Sequence, residues 1–302
     1  MLRALTLTLA LVLIAAADAP LGAQAPLLWR ASKEGRGDLY LLGAIELRRE
    51  RPSGLDPAID AAFESADGVA VPVDLGTQDR AALNDRIVEL ALLDAGTTLR
   101  DKVSETTYAE VRLALESLKL PPDSLDAFEP WFAGIFLASR MRALLGYRGE
   151  NGVSAHFLER ARGDKQIVSL ETHEHRVRIR TELPDDLQAL MLEKTLQHLD
   201  VERLERIEGA WDAGDAELLE TLFFEDLRAD PRTAPYFERV VFGRNRELTR
   251  GLEALLEPGT TWFAVIPVGH LVGARSISDL LAARGYQVKR VPSRQAAEEQ
   301  SP

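Results

Sequence analysis

The chain has 302 residues, a formal net charge of −12 at pH 7 and no cysteine. Disulfides, a cysteine nucleophile and a lipid-modified N-terminal cysteine are thereby excluded. Acidic and basic residues are interleaved rather than blocked, so the average field repels phosphate backbones and argues against nucleic acid as a partner.

Met1-Leu2-Arg3 carries one positive charge, and an uncharged, largely apolar run follows over 4–17. That is the layout of a secretory signal peptide. The run meets Asp18, Pro20 and Gly22 too soon to span a bilayer as about 20 apolar residues. Ala23-Gln24-Ala25 has the small-x-small form of a cleavage site, which predicts a periplasmic or secreted mature chain with no stable membrane span. Lacking a linker or an internal repeat, the sequence divides into a signal peptide over 1–25, one α/β domain over 26–292 and a flexible polar tail over 293–302.

Six β-rich runs follow in chain order, at 27–31, 39–45, 68–74, 166–170, 262–268 and 287–291. The first two are joined by Lys33-Glu34-Gly35-Arg36-Gly37 and read as a hairpin. Pro72 lacks a ladder donor and predicts an edge strand or a bulge in the third run. Amphipathic helical stretches include 57–65, 81–93, 106–118, 185–207, 215–228 and 244–256. The expected fold is α/β: one mixed sheet with helices on its faces, whose centre is built by strands from both chain ends.

In open α/β sheets ligands bind beyond the carboxyl ends of strands. Three segments fit that position. Leu41-Leu42-Gly43-Ala44-Ile45-Glu46 ends on a carboxylate, Ser169-Leu170-Glu171-Thr172-His173-Glu174-His175 on a cluster of carboxylates and imidazoles, and Val265-Ile266-Pro267-Val268-Gly269-His270 on a histidine. His173 and His175 are two apart, the wrong spacing for a helical ligand pair, and read as surface residues.

The order of these segments resembles the TraB/GumN family and its TIKI metalloprotease relatives. The likeness is carried by Leu28-Trp29-Arg30, Tyr40-Leu41-Leu42-Gly43, Leu55-Asp56-Pro57-Ala58-Ile59, Val71-Pro72-Val73-Asp74-Leu75, Gly152-Val153-Ser154, Leu170-Glu171-Thr172, Arg244-Asn245 and Gly269-His270-Leu271-Val272-Gly273. What the resemblance implies is a divalent ion, manganese, cobalt or zinc, held at the strand ends for peptide hydrolysis, its bound water activated and the scissile carbonyl polarised. His270, Glu46 and Asp74 would be the metal ligands, Glu46, Glu171 and His270 the catalytic set, and Arg244 and Asn245 would contact an anionic substrate group. The pattern departs at Glu46, where the family carries histidine, at Pro72, where it carries glutamate, and at Ser154, where it often carries aspartate. Two readings follow: an exported metal-dependent hydrolase with weakened or lost activity, or a non-catalytic envelope protein that binds a peptide, a glycan or a protein partner on the same fold.

Overall fold

The apolar runs become strands β1 (Leu28–Ser32), β2 (Asp38–Ala44), β3 (Gly68–Val71), β4 (Gln166–Ser169), β5 (Thr261–Pro267) and β6 (Gln287–Arg290). The structure, a computed structural model, describes residues 25–74, 76, 80–198 and 200–293. Residues 1–24 of the expected signal peptide and residues 294–302 of the expected tail lie outside them. One mixed sheet results, in the order β4-β3-β5-β2-β1-β6. β1 and β2 form the expected hairpin, turning at Gly35 with φ +73°, a conformation that costs glycine little. β2 and β5 lie side by side in parallel from Asp38 opposite Thr261 to Ala44 opposite Pro267. Strands from the two chain ends therefore meet in the middle of the sheet, while the last strand, β6, pairs with β1 at one edge.

The period-2 alternation of the central strands decides which helices cover which face. Leu42, Ala44, Phe263 and Val265 point to one face. There they pack under α1 (Pro57–Glu64) and α5 (Val153–Ala161), beside α8 (Val201–Asp212) and α9 (Ala216–Arg228). Leu39, Leu41, Trp262, Ala264 and Ile266 point to the other, against α10 (Arg244–Leu255) and α11 (Ile277–Ala283). Phe63, Phe157 and Phe263 form a closed trio, with ring centroids 5.0 to 5.6 Å apart.

A separate apolar cluster joins α3 (Glu105–Ser117), α4 (Pro130–Leu144) and α7 (Asp185–Gln197) through Leu115, Leu137 and Leu192. Helices α2 (Arg80–Ala91) and α6 (His173–Thr181) pack beside it, through Ala91, Trp131 and Val177. Among the described residues no helix is long and apolar enough to cross a membrane.

Two local expectations are corrected. The stretch 185–207 is two helices, because Asp200 turns its carboxylate onto the Arg203 amide at 2.6 Å and starts α8 as a fresh N-cap. β3 is an interior strand, paired with both β4 and β5. It ends at Val71, so Pro72 stands just past the ladder, where its missing donor costs nothing, and its carbonyl accepts the Glu171 amide. Ser293, the first residue of the expected tail, is buried and donates to Asp56 at 2.5 Å.

Candidate functional site

Because β2 and β5 run parallel and end level, the chain leaves both strands at the same edge of the sheet. β2 continues to Glu46, and β5 enters a 3₁₀ turn, Val268–His270. Glu46 and His270 line one cavity of about 390 Å³ over this edge. Its apolar wall comes from α8 and α9, with Ile207, Phe223, Phe224 and Leu227, and from Val240 and Val241; Arg142, Arg180 and Arg244 supply positive charge.

Arg244 organises the site. It follows a π-helical segment, Phe237–Gly243, whose wider turn resets the face that α10 presents. The buried guanidinium donates through Nε (3.0 Å) and Nη2 (2.5 Å) to the Glu171 carboxylate. Through Nη1 it donates to His270 Nε2 at 2.7 Å. The other imidazole nitrogen, Nδ1, lies 2.6 Å from Asn245 Oδ1, while Asn245 Nδ2 donates to the Arg275 carbonyl at 2.8 Å. That last bond fixes the Asn245 amide with its oxygen toward the ring. His270 is assigned as the neutral tautomer with its proton on Nδ1 and its Nε2 lone pair held by Arg244. Burial and the facing Arg244 charge push its pKa well below 6.5. Arg275 keeps the far end of the chain in place in a left-handed conformation, φ +60°, with its guanidinium on Glu238 and over the Phe242 ring.

Glu46 approaches from the opposite side. Gly152 makes room for it, since a β-carbon there would lie 2.3 Å from the Glu46 carbonyl oxygen. Ser154, two residues on, donates to Glu46 Oε1 at 2.8 Å. Protein packed around the carboxyl raises its pKa, and the Ser154 bond, Arg176 and Arg244 oppose that rise. By surface area Glu46 is an exposed residue, opening into the cavity, so the rise is the smaller for that water contact. Where the resemblance places a histidine beside an aspartate, this chain thus has a carboxylate accepting from a serine.

The remaining candidates fall elsewhere. Asp74 is buried against Arg162 (2.8 Å) and the Gly76 amide (2.9 Å), and its own amide donates to Ser169; it does not line the cavity. Asn245 is buried behind His270 and reaches the site only through that ring. His175 pairs with Glu247 at 2.7 Å. His173 is half-buried, with neither ring nitrogen hydrogen-bonded among the described residues, so it is not the surface residue its sequence suggested.

The implied divalent ion does not fit these residues. Among the described residues no group of three or more histidine, aspartate or glutamate side chains is placed to hold a metal ion. The His270 lone pair and the Glu171 oxygens, which such an ion would need, already accept from a guanidinium, and Arg176 Nε stands 3.7 Å from Glu171 on its other side. An ion entering here would have to displace one cation and tolerate another.

Sequence reading missed Arg142, Arg176 and Arg180. The signal was the spacing in His173-Glu174-His175-Arg176-Val177-Arg178-Ile179-Arg180, where positions 176 and 180 share one face of a helix and 178 does not. Arg178 indeed lies outside, about 64% exposed, near Glu182. Burial, and then Arg244, lower Arg176 to about 10.

A pH dependence follows from His270. Its folded pKa lies below the unfolded value, so between the two the unfolded chain binds more protons and stability rises with pH. The contribution is complete above about 6.5 and is lost as pH falls below it. His156, His173 and His198 are lowered by burial and act with the same sign; Glu46, raised, acts oppositely above its ordinary 4.5. Urea unfolding from pH 8 to pH 5 is expected to show a smaller acid loss in His270→Gln than in the unsubstituted protein. An equal loss would remove His270 as a contributor.

Comparison with curated proteins and with solved structures finds no match to either. A family model described as the TraB/PrgY/gumN family matches residues 27–290, nearly the whole chain. The chain belongs to the TraB/PrgY/gumN family.

Proposed function

We propose that this protein is an exported, non-catalytic recognition protein whose cavity at the sheet edge binds a component of the cell envelope. The observation that carries this reading is the bond from Arg244 Nη1 to His270 Nε2 at 2.7 Å. The imidazole that the resemblance makes a metal ligand is filled by an internal cation, and its low pKa keeps it neutral in that role. Export is supported by the charge and apolar pattern of residues 1–17. Family membership alone leaves the activity open, because function lives in the site and not in the fold.

The test is turnover of a fluorogenic peptide library by the purified mature protein, with manganese, cobalt or zinc added. No metal-dependent turnover is expected. Turnover that requires metal and disappears in His270→Ala would overturn the proposal in favour of the hydrolase.

A further inference from the structure

Arg142 and Arg180 are the unexplained charges of the site. Both line the 390 Å³ cavity and also a neighbouring cavity of about 300 Å³, so they stand with Leu47 and Tyr236 where the two spaces adjoin. Arg142 comes from the last turn of α4 and Arg180 from the last turn of α6. Neither forms an ion pair with a described residue. Arg180 Nη1 donates only to the Arg176 carbonyl, and the Arg142 guanidinium has no hydrogen-bond partner among the described residues. Burial lowers the Arg142 pKa with no carboxylate to offset it. By contrast Arg244 and Arg176 face Glu171, and Glu208, the other carboxylate on the cavity wall beside Glu46, is turned to Arg48 at 3.7 Å.

A half-buried guanidinium with no carboxylate paired to it gives up part of its hydration without gaining an ion pair, and is stabilised when an anion arrives. Two such groups converge here in a protein whose net charge is −12. The surface around them is aliphatic and aromatic: Phe223, Phe224, Leu227 and Val241 in the larger cavity, Ile135 and Met191 in the smaller. Volumes of about 300 to 1,000 Å³ suit small organic ligands.

Building on the recognition reading, we propose that this cavity binds a single-headed amphipathic anion, its carboxylate or phosphate monoester held by Arg142 and Arg180 and its hydrocarbon tail lying on the apolar wall. A planar guanidinium offers paired donors to either head group. The tail supplies the apolar contact, and the two arginines select the charge.

Calorimetric titration of the mature protein with decanoate and with decyl phosphate tests this, with decanol and decyltrimethylammonium as neutral and cationic counterparts. Saturable one-to-one binding of one or both anions is expected, with decanol and the cation binding at least about tenfold more weakly. Arg142→Met and Arg180→Met should each weaken anion binding roughly tenfold, whereas exposed Arg246→Met should leave it unchanged. Preference between the two anions identifies the head group. Absence of saturable anion binding, or binding indifferent to both arginines, would overturn the ligand class. A short peptide with a free C-terminal carboxylate is titrated in parallel: if it binds and the amphiphiles do not, recognition stands and this ligand class falls. Metal-dependent peptide turnover would instead overturn the recognition reading itself.

Discussion

Arg244→Met is expected to destabilise the fold by about 3–5 kcal/mol, the cost of removing one partner from a buried ion pair. Glu171 and Arg244 are each less than one-tenth exposed at the side chain, so the orphaned carboxylate cannot recover its hydration. Arg176, 3.7 Å from Glu171, offsets part of the loss and favours the lower end of the range. The same substitution frees His270 Nε2 and removes a facing positive charge, so the imidazole pKa rises. Replacing the carboxylate as well, in Arg244→Met with Glu171→Gln, removes the stranded charge and should recover a large part of the stability. Urea unfolding of the two single variants and the double variant measures the coupling. Additive losses would mean that the pair contributes little.

Phe263→Ala should cost a comparable amount, about 3–5 kcal/mol, through a different mechanism. Its side chain is fully buried in a central strand, and it holds the rings of Phe63 from α1 and Phe157 from α5 against the sheet. Truncation leaves a void that the surrounding strands are too constrained to fill. The loss should appear as an equal shift at every probe of global unfolding, and Glu46 and His270 should keep their pKa values if the strand ends stay in place. A loss below about 1 kcal/mol would mean that the ring trio repacks.

All six strands were legible because short aliphatic and β-branched runs bounded by glycine, proline or charge have few other uses in a chain of this kind. Their convergence was legible too, since helices between most of the later strands leave one mixed sheet with helices on its faces as the economical solution. The Pro72 strand was misplaced because a missing backbone donor shows only where a ladder must stop, and the ladder stops one residue earlier. The break near Asp200 was hidden by apolar periodicity that continues across it, although an aspartate three residues before Arg203 is an N-cap in form.

The site was legible only by position. Glu46, Glu171, Arg244 and His270 do gather at one sheet edge, but their roles depend on distances that no spacing in the sequence encodes. A histidine after a strand looks the same whether its Nε2 faces an ion or a guanidinium. Arg142 illustrates this limit: it is one charged residue near the end of an apolar helix, and its isolation becomes visible only when α4 is set beside α6 and the cavity.

The arrangement also bears on restoring a metal site. Glu46→His with Pro72→Glu would return the residues of the family pattern, yet Arg244 would still occupy His270 Nε2 and the Glu171 oxygens.

The central claim, that Arg244 and not a metal ion occupies the His270 lone pair, is tested most directly by nitrogen-15 NMR of the His270 ring. Spectra of the purified protein are recorded from pH 8 to pH 5, without and with one equivalent of zinc. The expected result is a neutral ring protonated on Nδ1, unchanged through pH values well below 6.5 and unmoved by zinc. A ring that titrates near 6.5, carries its proton on Nε2, or shifts stoichiometrically with zinc would contradict it.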